Sequence, residues 1–311
     1  MIGAAAQDTW SEEAAPAWWR RARRVYDAAA VAGGSVSLKS TLAAAAAIGR
    51  LVHRLPRAWP SAEVLGQLIP GNAQQLDSIA RSMVSLRYQN RALVPIVGRG
   101  GPAVLNGLFE AGTFDALQRI QGPAIIATWH SGPAYGLGAG LVRAGMPAFA
   151  LRRTMPHAGV QSLEYGLTRG TTEDRAHTFA RALAHLREGG VVAMAVDVAG
   201  VSLTAPVPCL NRMVRLARGP FALSRLTGAG LVPAVATWSS RGEIAITVGT
   251  VVGAPAASAD SDSETVAAAE LARYTDASLR KRPHEIWFCM LRWLLGSPRI
   301  GSTDEAGVGH A

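Results

Sequence analysis

The rhythm of apolar and polar positions changes near residue 120. Residues 1–110 carry helical spacing and no good strand, which predicts a helical N-terminal region. In Trp18-Trp19-Arg20-Arg21-Ala22-Arg23-Arg24-Val25-Tyr26, a helical wheel gathers Trp18, Trp19, Ala22, Val25 and Tyr26 on one arc and the four arginines opposite. Two readings fit this segment: a helix packed on the core, or an interfacial helix with Trp in the headgroup layer and Arg meeting anionic lipid. Further helices are predicted over 41–54 and 73–88.

Beyond residue 120, apolar runs alternate with helical stretches. Strands are predicted at 124–129, 148–151, 191–196, 231–238 and 243–248. Helices are predicted at 133–142, 173–188, 213–227, 264–281 and 283–295, with 254–263 as a loop. Residues 120–142 carry no formal charge and are long enough to span a bilayer. Five glycines, Pro123, Pro133 and His130 interrupt them, so they read as strand, turn and helix. Strands alternating with helices imply an α/β fold with a mainly parallel sheet flanked by helices. The expected division is a helical region over 1–110, an α/β domain over 111–295 and a flexible tail over 296–311.

Composition narrows the partners. The 311 residues are 49% hydrophobic, which excludes a disordered chain. The formal charge is +9, carried almost wholly by Arg, which favours flat oxyanions such as phosphate and carboxylate. Nucleic acid ranks low, because no reading motif accompanies the charge. Cys209 and Cys289 alone make neither a disulfide framework nor a Cys-based zinc site, in keeping with a reduced compartment. The first residues lack a basic stretch followed by an apolar one, so no signal peptide is expected. The protein is expected in the cytoplasm, or peripheral on the inner face of the plasma membrane.

Candidate chemistry sits at strand ends, where open α/β sheets place their ligands. His130 follows a strand and precedes a Ser-Gly-Pro turn opening a helix. A neutral imidazole there can take a proton from a hydroxyl or amine, and helix-start N–H groups near Ser131, Gly132 and Ala134 can meet an oxyanion. The plainer reading is a strand-end histidine that caps the turn. Asp197 ends the run 191–196, where a carboxylate orients a histidine or caps a turn. Arg152 and Arg153 follow the strand at 148–151 and can clamp a phosphate; a solvated pair is the alternative. Arg169, Arg212, Arg215 and Arg218 add to an anion-binding surface, with Arg215 and Arg218 expected on one helix face. There is neither a Gly-x-Ser-x-Gly elbow nor a Walker A sequence. Residues 98–103 fit a dinucleotide fingerprint only nominally and read as a loop. His177 and His185 read as helix-surface residues, not metal ligands.

From about residue 112 to 295 the order of these features resembles the bacterial lipid A lauroyl/myristoyl acyltransferase family, within the lysophospholipid acyltransferase-like group. The phosphatidylinositol mannoside acyltransferases are kin. The resemblance rests on the strand 124–129 leading into His130, on Gly189-Gly190 before a strand ending at Asp197, and on Val207-Pro208-Cys209-Leu210-Asn211. It continues through Gly219-Pro220, Thr227–Pro233, Tyr274-Thr275, Pro283–Trp287 and Arg292-Trp293, covering a bit over half the chain. It implies acyl transfer from a thioester, acyl-CoA or acyl carrier protein, to a hydroxyl or amine of a lipid, glycolipid or natural product. His130 would be the base; Ser131, Gly132, Arg152, Arg153, Glu164 and Arg169 would contact substrates. No cofactor is implied beyond the acyl co-substrate, and no metal, since a thioester is already activated. The implied partners are the donor, its carrier protein and an anionic membrane surface.

One departure matters most. The family's carboxylate five positions after the histidine is Tyr135 here. Three arrangements remain open: the Tyr135 hydroxyl bonds the imidazole; Asp197 or Glu164 supplies the carboxylate; or the chain is a non-catalytic lipid- or acyl-binding relative.

Overall fold

The computed structural model describes residues 17–53, 60–152, 164–167, 171–197, 202–252 and 261–300. The helical region comprises α1 (Ala17–Val36), α2 (Leu38–Val52), α3 (Ala62–Gly66) and α4 (Ala73–Gly100). The Asn72–Gln75 capping box starts α4, which then runs twelve residues past the predicted end, through Pro95, to Gly100. The nominal fingerprint at 98–103 therefore lies on the end of this helix and on the 3-10 turn Pro102–Leu108 that follows.

The remaining elements are α5 (Thr113–Gln118), β1 (Ala124–Thr128), α6 (Gly136–Arg143), β2 (Ala148–Arg152), β3 (Glu164–Leu167), α7 (Thr172–Arg187) and β4 (Val191–Ala195). After these come β5 (Val207–Cys209), β6 (Arg212–Val214), α8 (Gly219–Thr227), β7 (Gly230–Trp238), β8 (Ile244–Val248), α9 (Ser261–Lys281) and α10 (Phe288–Gly296). The main sheet has the order β3-β2-β4-β1-β7-β8, parallel throughout except for β8. The protein is thus an α/β fold with a mostly parallel sheet and N-terminal helices, as the alternating rhythm predicts.

β1 shows why a strand buried on both faces reads as a continuous apolar run. Ala124 and Ile126 enter the core on one face, with Leu93, Val97, Leu105, Leu117 and Leu141. Ile125 and Ala127 enter the core on the other, with Met83, Leu186, Phe221, Leu271 and Met290. Ile125 and Ile126 are fully buried, each contributing about 1.5–3 kcal/mol of burial. Both cores draw on residues from either side of residue 110. The first half of α4 (Leu76, Ala80, Met83) packs in one and its second half (Ala92, Leu93, Ile96) in the other.

Two sequence expectations are corrected. Residues 213–227 are not one helix: Arg212–Val214 pairs antiparallel with Val207–Cys209, and helix α8 begins only at Gly219-Pro220. Leu210 and Asn211 form the tight turn with φ 45° and 61°, the left-handed geometry this hairpin needs. Arg215 therefore lies outside any helix, and Arg218 only caps α8, so they share no helix face. Arg218 instead grips Glu264, its Nε donating at 2.8 Å. The second correction concerns the end of the chain. Met213 donates to the Pro298 carbonyl and Ile300 to that of Asn211, so residues 298–300 are tied to the hairpin. Residues 301–311 of the expected tail lie outside the described residues, as do 254–260 of the expected loop; 261–263 already belong to α9. Among the described residues no helix is long and apolar enough to cross a membrane.

Candidate active site

The register of the sheet brings the two leading candidates together. Thr128 of β1 pairs with Ala195 of β4 on parallel neighbouring strands. His130 and Asp197 each stand two residues farther on, so both emerge from the carboxyl edge side by side. Val196 secures this exit, donating to the Thr128 carbonyl while its own carbonyl accepts from Ala217.

The contact between them is close. His130 Nδ1 lies 2.9 Å from Asp197 Oδ1 and 3.1 Å from Oδ2. The backbone N–H of His130 also donates to Oδ2 at 3.0 Å. The Asp197 side chain is 1% exposed and that of His130 33%. A buried carboxylate only accepts, so Nδ1 carries the proton and Nε2 keeps the lone pair of a base. Among the described side chains, Asp197 is the one that brings a carboxylate to the ring. Glu164 opens β3 opposite Phe149, which is level with Val192, toward the amino end of the sheet. Tyr135 caps α6 in the left-handed region, φ 63°, and its side chain packs on the core containing Ile126.

The turn from 130 to 134 is pinned from a second side. Ser131 bridges to Ile286, Gly132 N–H donates to the Glu285 carbonyl at 3.0 Å, and Trp287 N–H donates to the His130 carbonyl at 3.0 Å. Trp287 Nε1 donates to the Gly132 carbonyl at 2.8 Å, and its ring lies 5.5 Å from the imidazole. Asn90 of α4 does two jobs: Nδ2 donates to the Gly132 carbonyl at 2.8 Å, and Oδ1 accepts from Ala134 N–H at 3.1 Å. Gly132 has φ 66°, and a Cβ there would run into the Ala236 carbonyl, so only glycine fits.

This pinning overturns one expectation. Pro133 has no N–H, and the N–H groups of Ser131, Gly132 and Ala134 go to Trp129, Glu285 and Asn90. The helix-start amides expected to meet an oxyanion are already engaged. The Ser131 hydroxyl is the donor of this turn that has no hydrogen bond among the described residues.

Residues 285–287 thus form a strap across the turn, and Glu285 within it is unusual. Its side chain is buried; Oε1 accepts from Trp238 N–H at 3.0 Å and meets Arg282 at 3.4 Å, while Oε2 has no partner among the described residues. Burial pushes its carboxyl up to about 7, although Arg282 and the Trp238 N–H oppose the shift. Burial likewise pushes the Cys209 thiol up to about 12, so it is no thiolate nucleophile near neutrality.

Arg152 ends β2, beside β4 on the carboxyl edge. The side chains of Arg152 and Glu164, and all of Arg153 and Arg169, lie outside the described residues. Sequence reasoning passed over Asn90, Glu285 and Trp287 as site residues. Pro283–Trp287 already figured in the resemblance, but nothing in the sequence tied Asn90 to the turn.

No family model matches the chain, and no curated protein matches it. Among solved structures, the X-ray structure of the Legionella pneumophila ATPase DotB is similar at 11% identity with a TM-score of 0.31. That similarity covers 61% of this chain and 64% of the other, so it spans less than two thirds of the ATPase's length.

Proposed function

We propose that the chain is an acyltransferase of the lysophospholipid acyltransferase-like fold, moving an acyl group from a thioester to a hydroxyl or amine acceptor. The observation that carries this reading is the buried Asp197 carboxylate on Nδ1 of a part-exposed His130 at the carboxyl edge. The ordered resemblance from residue 112 to 295 supplies the reaction class.

His130 Nε2 takes the proton of the acceptor O–H or N–H as its oxygen or nitrogen attacks the thioester carbonyl carbon. The tetrahedral intermediate collapses, the C–S bond breaks, and the imidazolium returns its proton to the leaving sulfur. Asp197 holds the ring in the productive tautomer and offsets the imidazolium charge. The Ser131 hydroxyl is the donor this turn offers to the oxyanion, and Arg152, Arg153 and Arg169 are the groups for donor phosphates. The donor is acyl-CoA or an acyl carrier protein.

A second reading has one observation in its favour: the amides at 131–134 are engaged, which suits an acyl-binding protein without turnover. Thiol release from acyl-CoA with candidate acceptors separates the two. Acyl transfer predicts turnover in the wild type, lost in His130→Ala. Equal rates in the two chains would remove His130 from the chemistry. Acyl ligand bound without thiol release would establish the binding protein.

A further inference from the structure

Helices α1 and α2 pack on each other and on α4, yet each turns an apolar face outward. In α1, Tyr26 donates to the Tyr88 carbonyl of α4 at 2.8 Å and Ala30 is buried, which fixes the inward face. The arc expected from the helical wheel is thereby split, because Ala22 and Val25 face solvent. Ala22, Val25, Ala29, Ala32 and Val36 are all exposed, at steps of three, four, three and four. That spacing is a continuous helical stripe, about 20 Å long at 1.5 Å per residue. Its large members are well out in solvent, Val25 at 69% and Val36 at 88%. On α2, Ala44, Ile48 and Leu51 repeat the pattern, with Leu51 at 61%. Apolar surface of this kind, concentrated in one short helical pair, marks a contact site.

Charge selects what covers it. Residues 17–53 hold six Arg or Lys and a single acid, Asp27. Asp27 is already 3.6 Å from Arg23. Arg21 and Arg24 are exposed beside the stripe and form no ion pair among the described residues. A second copy would bring the same cations against these with no acids to meet them, which disfavours self-pairing. Two outward stripes of aliphatic side chains, flanked by cations, fit an apolar layer beneath anionic headgroups. We infer that the outward faces of α1 and α2 rest together on an anionic lipid bilayer. The helices lie on this surface and do not cross it. The inference holds whether or not the chain transfers acyl groups.

The test is co-sedimentation of the full chain with two vesicle types: phosphatidylcholine alone, and phosphatidylcholine mixed equally with phosphatidylglycerol. The expected result is at least about tenfold stronger binding to the anionic vesicles, weakened by salt. Combining Val25→Asp with Leu51→Asp should lower that binding at least about tenfold while the melting curve stays in place. Arg21→Glu with Arg24→Glu should remove most of the preference for anionic vesicles. Equal binding to both vesicles, no binding, or unchanged binding by the variants would overturn the inference. So would a wild-type dimer that Val25→Asp dissociates, or capture by an acidic carrier protein without vesicle binding. Thiol release on a water-soluble acceptor, unchanged in Val25→Asp with Leu51→Asp, keeps this test separate from the acyltransferase reading.

Discussion

The His130 turn sits between two buried carboxyl groups that behave in opposite ways. On the β4 side, Asp197 uses both oxygens, and its partners are the imidazole and backbone N–H of one residue. On the strap side, Glu285 has one oxygen on Trp238 N–H and Arg282 and the other without a partner among the described residues. Asp197 thus sets the state of a ring that reaches solvent. Glu285 contributes to the turn through its main-chain carbonyl, and its side chain stays protonated farther up the pH scale. Burial alone does not identify a chemical group; what the carboxyl is bonded to does.

The largest effects belong to the β4 side. His130→Ala should lower thiol release by roughly 10²–10⁴-fold, the usual worth of a positioned base, with little change in melting temperature. Asp197→Asn should cost nearly as much, because an amide no longer enforces the Nδ1–H tautomer. If Asp197→Asn retained full rate while Glu285→Gln lost it, the contrast between the two carboxyls would be inverted.

Next in size is Gly132→Ala, where the strap, Asn90 and β7 converge. The new Cβ meets the Ala236 carbonyl, and φ 66° suits glycine alone. A loss of roughly 2–4 kcal/mol in urea unfolding is expected, within the range for strained backbone and overpacking combined. An unaltered midpoint would show that the turn is looser than its hydrogen bonds imply.

The strap side should show itself through pH. Glu285 titrates near 7 in the folded chain against an ordinary value of 4.5. Between those values the unfolded chain has lost the proton and the folded chain keeps it. Stability therefore falls as pH rises through that window, by up to about 3 kcal/mol. Glu285→Gln should flatten this slope in thermal unfolding across pH 5–7, and an unchanged slope would assign it to another group.

Asn90→Ala should have the smallest effect, about 1–2 kcal/mol, because the Gly132 carbonyl keeps its bond from Trp287 while Ala134 N–H loses its acceptor. Asn90→Asp, which still accepts from Ala134 but cannot donate to Gly132, should retain part of that loss.

The β4 side was far more legible in the sequence than the strap side. Two apolar runs of nearly equal length end at His130 and Asp197, and parallel pairing of such runs places their ends together. Asn90 gave no such signal: it lies 42 residues before Gly132, on a helix whose predicted end, residue 88, fell short of it. The hairpin at 207–214 was also hidden, since Met213, Val214 and Leu216 mimic a helical step and only the left-handed Leu210-Asn211 turn resolves them. Two of the engaged amides at 131–134 depend on acceptors from distant parts of the chain, Asn90 and Glu285, which no local pattern encodes. The apolar face of α1 was visible on the wheel, but which edge of that arc faces inward is decided by Tyr88, on another helix.

The tautomer of His130, read by ¹⁵N NMR of the full chain above its titration, tests the central claim most directly. The account predicts a neutral ring protonated on Nδ1 and not on Nε2 in the wild type, and a mixture of tautomers in Asp197→Asn. A wild-type ring protonated on Nε2 would contradict it, since the nitrogen assigned to take the acceptor's proton would already hold one.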